Sequence, residues 1–139
     1  MELHRGRLID HLHLVVSDVE RSKRFYAAVL GALGIPLGGE GPDYFWADEL
    51  FVSSKDSKAA AGVLTGRTHF AFQAPTRESV TSFYEAGLAA GATSNGPPGE
   101  RPYHPGYFAA FLLDPEGNNV EAVFHGPAQR SAPSVVVKF

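Results

Sequence analysis

Apolar and polar positions alternate with a period of two along Ile9–Val16 (IDHLHLVV), which predicts a strand. His11, His13 and Val15 share one face of it, and Leu12, Leu14 and Val16 the other. The period then lengthens. Ser17-Asp18-Val19-Glu20 has capping-box spacing, and Phe25, Val29 and Leu33 form a helical apolar stripe that Gly34 ends. Tyr44–Ala47 and Leu50–Ser54 predict short strands, and the small, polar Lys55–Gly66 reads as a connector. Thr68–Gln73 (THFAFQ) predicts a further strand, and Thr76 a cap for a helix through ESVTSFYEAGLAAGA. Tyr107–Leu113 and Asn119–His125 are two more strands. Asn95–Gly106 (NGPPGERPYHPG) is expected to be a structured loop at a cavity rim rather than a domain linker, because a needed strand follows it. The β-prone run Val135–Phe139 is expected to add an edge strand or to meet a partner subunit.

The pattern repeats. A shift of 58 residues carries His11 onto His69, Asp18 onto Thr76, Phe25-Tyr26 onto Phe83-Tyr84 and Leu30 onto Leu88. One register superposes a strand histidine, a helix start and an aromatic pair. The predicted fold is therefore α+β, with two tandem βαβββ repeats, about 8–55 and 66–126, in a single domain spanning 1–139. Each sheet is expected to present one face to a helix and the other to a shared cavity.

Composition narrows the chemistry. The chain has 139 residues, 44% hydrophobic and 19% charged, which is globular rather than disordered. A formal net charge of −3 gives no electrostatic reason to expect nucleic acid or an anionic membrane as partner. The first twenty residues carry charges and histidines throughout, so neither a signal peptide nor an anchor is expected, and a cytoplasmic location is the default. With no cysteine among six histidines, disulfides, thiolate nucleophiles and Cys-ligated metals are excluded. A metal site would use His, Asp and Glu.

Histidines at equivalent strand positions of two repeats point to a shared centre. Glu121 supplies a third donor, since it lies in a strand among Val120, Ala122 and Val123, where a carboxylate is costly unless paired or metal-bound. Two imidazoles and a carboxylate suit Fe, Mn, Co, Ni or Zn as a divalent ion, and the donor set alone does not choose.

The segments IDHLHLVVSDVERSKRFYAAVLGALGI, THFAF and FLLDPEGNNVEAVFHGP resemble the vicinal oxygen chelate superfamily, which includes glyoxalase I, extradiol dioxygenases, fosfomycin-modifying thiol transferases and bleomycin-binding proteins. The resemblance implies a glyoxalase-like cupped mixed sheet around a metal-binding cavity. It assigns His11, seven residues before Asp18, His69 in THFAF, and Glu121 after the D-P-x-G turn as metal ligands. Glyoxalase I adds a fourth ligand from the last strand of the first repeat, where this chain has Phe51 or Val52, with Glu49 just before the strand. The Lys/Ser-rich potassium loop typical of the fosfomycin transferases is replaced by RPYHPGYF. Phe111 stands where those transferases and the extradiol dioxygenases place a tyrosine.

The resemblance implies a metal-dependent lyase- or isomerase-like enzyme that chelates a small substrate through adjacent oxygens. Glu121 would both bind metal and move a proton, with His13 a further acid/base candidate on the face of His11. Tyr107, Ala109 and Phe111 share a strand face directed at the cavity, and His104 and Tyr107 are placed to gate substrate. Arg101 and Arg130 are candidate anion contacts. The alternatives are a thiol transferase, an Fe-dependent extradiol dioxygenase, and a non-catalytic binding protein of the bleomycin type. Relatives often complete the cavity with repeats of two chains, which implies a homodimer. Phe25-Tyr26 and Phe83-Tyr84 read as core, and His4 and His125 receive no role.

Overall fold

The computed structural model describes residues 2–6, 9–58, 60 and 63–139. The chain divides into two compact units, one of Met1–Val19, Pro36–Thr65 and Gln129–Phe139, the other of Glu20–Ile35 and Gly66–Ala128. Among the described residues no helix is long and apolar enough to cross a membrane.

The first unit opens with β1 (Glu2–Arg5) and β2 (Leu12–Val16). The helix α1 (Val19–Ala32) follows, grouped from Glu20 onward with the second unit. The chain then returns as β3 (Gly39–Gly41), β4 (Tyr44–Ala47) and β5 (Leu50–Ser54). Their order is β2-β5-β4-β3, with β2 parallel to β5 and the other pairs antiparallel. β2 starts at Leu12 rather than Ile9. Asp10 instead accepts from His11 Nδ1 at 2.7 Å, and such a local side-chain bond competes with ladder formation. The connector after β5 leads to Thr65, whose backbone N–H donates to Val15 O at 3.0 Å while its hydroxyl accepts from Val15 N–H at 2.8 Å.

The second unit holds β6 (His69–Gln73), α2 (Arg77–Ala89), β7 (Thr93–Glu100), β8 (Phe108–Leu113) and β9 (Asn119–Phe124), in the order β6-β9-β8-β7. Again the first strand is parallel to the last and the remaining pairs are antiparallel. Each repeat thus forms its own four-stranded mixed sheet, the tandem βαβββ arrangement expected from the sequence. Thr76 caps α2: its hydroxyl accepts from Ser79 N–H at 3.0 Å, and Ser79 Oγ accepts from Thr76 N–H at 3.1 Å.

One expectation is corrected, and three further features emerge. The segment read as a loop from Asn95 forms most of β7, because two prolines are tolerable on an edge strand whose ladder slips at Ser94/Gly96 and Gly96/Gly99. The first-repeat helix groups with the second sheet's unit. There the fully buried Tyr26 donates its hydroxyl to Asp114 Oδ2 at 2.5 Å. Val29 also lies close to Gly87, whose hypothetical Cβ would be 3.2 Å from Val29 Cγ1. Leu88, the counterpart of Leu30, is 40% exposed, and the buried position of that turn is Gly87. The C-terminal run forms β10 (Val135–Lys138), antiparallel to β1 with Glu2 opposite Lys138 and Arg5 opposite Val135, inside the first unit. The sequence reading had no counterpart for β1 and β3.

The cores are apolar in the expected places. Leu14, Val16, Phe45 and Val52 are buried in the first unit, and Phe25, Val29, Phe83, Leu112 and Val120 in the second. Asp114 organises the turn between β8 and β9. Besides Tyr26 it accepts from Glu116 N–H (2.9 Å), Asn118 N–H (2.8 Å) and Asn118 Nδ2 (2.8 Å), so a 5% exposed carboxylate is fully engaged.

Candidate functional site

β9 lies between β6 and β8, so a side chain at its midpoint is flanked by both. Glu121 occupies that position, opposite Ala71 on β6 and Phe111 on β8, and is 3% exposed. An isolated carboxylate there would be costly, and two partners offset the cost. His69 Nε2 lies 3.1 Å from Oε1, and the Tyr107 hydroxyl donates a short hydrogen bond to Oε2. Burial, then the Glu121 hydrogen bond and charge, push the Tyr107 phenol well above its ordinary value. It remains a protonated donor across the neutral range.

Around this centre lies a cavity of about 320 Å³ lined by His69, Tyr103, Tyr107, Phe111, Asn119 and Glu121. Phe111 stacks on His69 with ring centres 6.1 Å apart. Two glycines pack backbone to backbone beside it. Gly106 (φ 89°) and Gly126 (φ 85°) are both left-handed, and a Cβ on either would come within 3.3 Å of the other's Cα. This contact holds the 101–107 loop against the end of β9. There His104 Nδ1 donates to Pro105 O at 2.9 Å, which leaves Nε2 to accept from His125 Nδ1 at 2.9 Å. Both imidazoles meet the Tyr107 ring at 5.3 Å, 79° and 82° from parallel. His125, given no role from the sequence, thus helps to seat Tyr107.

Of the sequence candidates, His69, Tyr107, Phe111 and Glu121 come together. His104 stands behind Tyr107. Arg101 lies over Phe111 at 5.3 Å and donates to Pro97 O at 2.7 Å, and Arg130 donates to Pro133 O at 2.8 Å. Both anion-contact candidates therefore bond to backbone carbonyls. Asn119 and Tyr103 were not anticipated. The ladder carries a signal for Asn119, which pairs with His69 in register, but none was visible for Tyr103.

His11 and His13 belong to the first unit and line a separate cavity of about 380 Å³ with Arg5, Trp46, Asp48 and Phe51. His13 Nε2 is 2.7 Å from Ser53 Oγ, and burial, followed by the neighbouring His11, lowers its pKa from the usual imidazole value. The His11 hydrogen bond in turn holds the exposed Asp10 carboxyl below its usual range. The ladder gives the first-repeat counterpart of Glu121. His13 is opposite Phe51 as Ala71 is opposite Glu121, and Trp46 is opposite Phe51 as Phe111 is opposite Glu121. Phe51 is the counterpart of Glu121.

The donor pair in the second unit fits a first-row dication. Two ligands each about 2.1 Å from a metal in cis positions stand about 3 Å apart, and His69 Nε2 and Glu121 Oε1 are separated by 3.1 Å. Within either unit, no group of three His, Asp or Glu side chains that could hold a metal ion occurs among the described residues.

The family model of the Glyoxalase/Bleomycin resistance protein/Dioxygenase superfamily matches residues 8–122. Among solved structures, the chain is similar to a glyoxalase/bleomycin resistance protein from Albidiferax ferrireducens T118, with 30% identity and a TM-score of 0.66 over 84% of this chain and 97% of that one. A glyoxalase-related enzyme from Fulvimarina pelagi superposes with a TM-score of 0.70 at 18% identity, over 95% of this chain and 98% of that one. A lactoylglutathione lyase from Agrobacterium tumefaciens does so at 0.61 and 19%, over 85% and 93%. These last two share the fold. A search of curated proteins finds no match. Together with the paired four-stranded sheets, the match across residues 8–122 shows that the chain belongs to the glyoxalase/bleomycin resistance protein/dioxygenase superfamily.

Proposed function

We propose that the chain is a divalent-metal-dependent enzyme of lyase or isomerase type, acting on a small substrate chelated through adjacent oxygens. The observation that carries this reading is the buried Glu121 carboxylate held between His69 and Tyr107 at the wall of a cavity. His69 and Glu121 are the proposed ligands of the second repeat, and His11 is the proposed third. The ion, when bound, supplies Lewis-acid stabilisation of a developing oxyanion. Glu121 would both hold the ion and accept a proton from a substrate carbon or hydroxyl, with the Tyr107 hydrogen bond to Oε2 orienting the carboxylate. Phe111 and Tyr103 restrict water around the substrate, and His104 supports Tyr107. His13, neutral at neutral pH, is a second acceptor on the face of His11. A homodimer in the cytoplasm is the proposed working form, and elution as a monomer at micromolar concentration would count against the dimer.

A second reading is a non-catalytic small-molecule binder. It is favoured by the completeness of the His69–Glu121–Tyr107 network, in which both carboxylate oxygens already have partners. A panel of hemithioacetals, catechols, and fosfomycin with thiols separates the readings. Each is assayed on protein loaded in turn with Fe, Mn, Co, Ni and Zn, alongside Glu121→Ala. Turnover by one metal form that Glu121→Ala loses supports the enzyme. Binding without turnover in every metal form supports the binder.

A further inference from the structure

At the wall of the second-repeat cavity one polar atom has no use in the proposed reaction. Asn119 Oδ1 is buried and has no hydrogen-bond partner among the described residues. A buried acceptor without a donor is costly, so its position calls for a reason. Asn119 opens β9 two residues before Glu121, so the two side chains share the cavity face of the sheet. In register with Asn119 stand His69 on β6 and Leu113 on β8. Leu113 has no polar side-chain atom, and Glu121 as a carboxylate only accepts. Among these same-face neighbours His69 alone carries a polar N–H.

His69 has a nitrogen to spare. Its Nε2 lies 3.1 Å from Glu121 Oε1, and no described residue bonds to Nδ1. Since the carboxylate only accepts, Nε2 carries the proton, which leaves Nδ1 of the neutral ring as an acceptor. Two acceptors, Nδ1 and Asn119 Oδ1, are then neighbours across the ladder with no hydrogen between them. The half-exposed imidazole is held by Glu121 and by its contact with Phe111, and its Nδ1 side is unanchored.

Coordination through Nε2 reverses this arrangement. A neutral imidazole has one proton, and with Nε2 a ligand that proton is on Nδ1. Ligating histidines characteristically give their second N–H to a carbonyl or carboxylate, which fixes tautomer and ring orientation. We propose that Asn119 is a positioning residue for the metal-bound His69, its Oδ1 accepting from Nδ1–H. Each atom lies one bond beyond its own Cγ, and strands about 4.8 Å apart bring such atoms within hydrogen-bonding reach. The acceptor that is unpaired beside an Nε2–H ring is paired beside an Nδ1–H ring. This role rests on the reading of His69 and Glu121 as metal ligands.

Zinc alone is the probe. Its affinity is measured by chelator competition in the wild type, in Asn119→Leu, which removes the acceptor at similar volume, and in Asn119→Asp, which keeps one. Asn119→Leu should bind zinc about 10- to 100-fold more weakly, and Asn119→Asp at least as tightly as the wild type. Heteronuclear NMR of the zinc form adds a readout that packing alone does not move. The His69 Nδ1 proton should exchange slowly in the wild type and in Asn119→Asp, and rapidly in Asn119→Leu. The wild-type spectrum alone tests the bond should Asn119→Leu fold poorly. Equal zinc affinity in the wild type and Asn119→Leu, an Asn119→Asp variant as weak as Asn119→Leu, or a freely exchanging Nδ1 proton in the wild type would overturn the role of Asn119 and leave the metal reading standing. A wild type that binds no zinc would overturn both.

Discussion

The two repeats share a strand order, a parallel closing pair and a histidine at the same register, yet their sites differ at one central position. In the second repeat the middle of the last strand carries Glu121, buried and bonded to His69 and Tyr107. In the first the same position carries Phe51, stacked on Tyr44 and edged by His13. The backbone specifies where a side chain meets a cavity, and the side chain there sets the chemistry of that cavity's wall. The turns differ as well. The first repeat closes β4 to β5 through Asp48-Glu49, and the second spends Asp114–Asn118 on a carboxylate-centred knot.

That knot gives the largest expected effect. Asp114→Ala would strand the buried Tyr26 hydroxyl and the Asn118 donors, and should destabilise the protein by about 4 kcal/mol in urea unfolding. A loss below about 1 kcal/mol would show that the turn holds without its carboxylate. Gly87→Ala comes next. Its Cβ would stand 2.2 Å from Leu112 Cδ1, so overpacking should cost about 2 kcal/mol despite the better helix propensity of alanine.

Tyr107→Phe tests the second site through pH. A phenol whose folded pKa is raised contributes stability that is complete below the unfolded value of about 10 and declines as pH rises above it toward the folded value. The wild type should lose stability steeply in that alkaline window, and Tyr107→Phe should flatten the decline. Tyr26, likewise raised chiefly by burial and next by Asp114, keeps part of the slope in the variant. The smallest effect belongs to the first repeat. His13 has a folded pKa below its unfolded value, so its contribution is present above about 6.5 and lost as pH falls through the folded value. His13→Gln should reduce the mild acid destabilisation between pH 7 and 5, and an unchanged profile would show that His13 does not sense its burial.

Much of this contrast was legible in the sequence. Period-two and helical patterning placed β4 and β5 with their observed ends, and the 58-residue register paired His11 with His69. Glu121 was recognisable because a carboxylate among Val120, Ala122 and Val123 contradicts its strand. What was missed depends on partners distant in sequence. β7 looked like a loop because Pro97 and Pro98 conceal an edge strand, and β1 shows as a strand only through its pairing with β10. Arg5 and Asp48 are joined by a hydrogen bond across 43 positions, which no local pattern encodes.

Metal analysis of purified protein after loading tests the assignment of Glu121 most directly, comparing the wild type with Glu121→Ala and Phe51→Leu. Stoichiometric divalent metal in the wild type and in Phe51→Leu, with none retained by Glu121→Ala, is expected. A wild type that holds no metal under any loading, or a Glu121→Ala variant that holds as much, would contradict it.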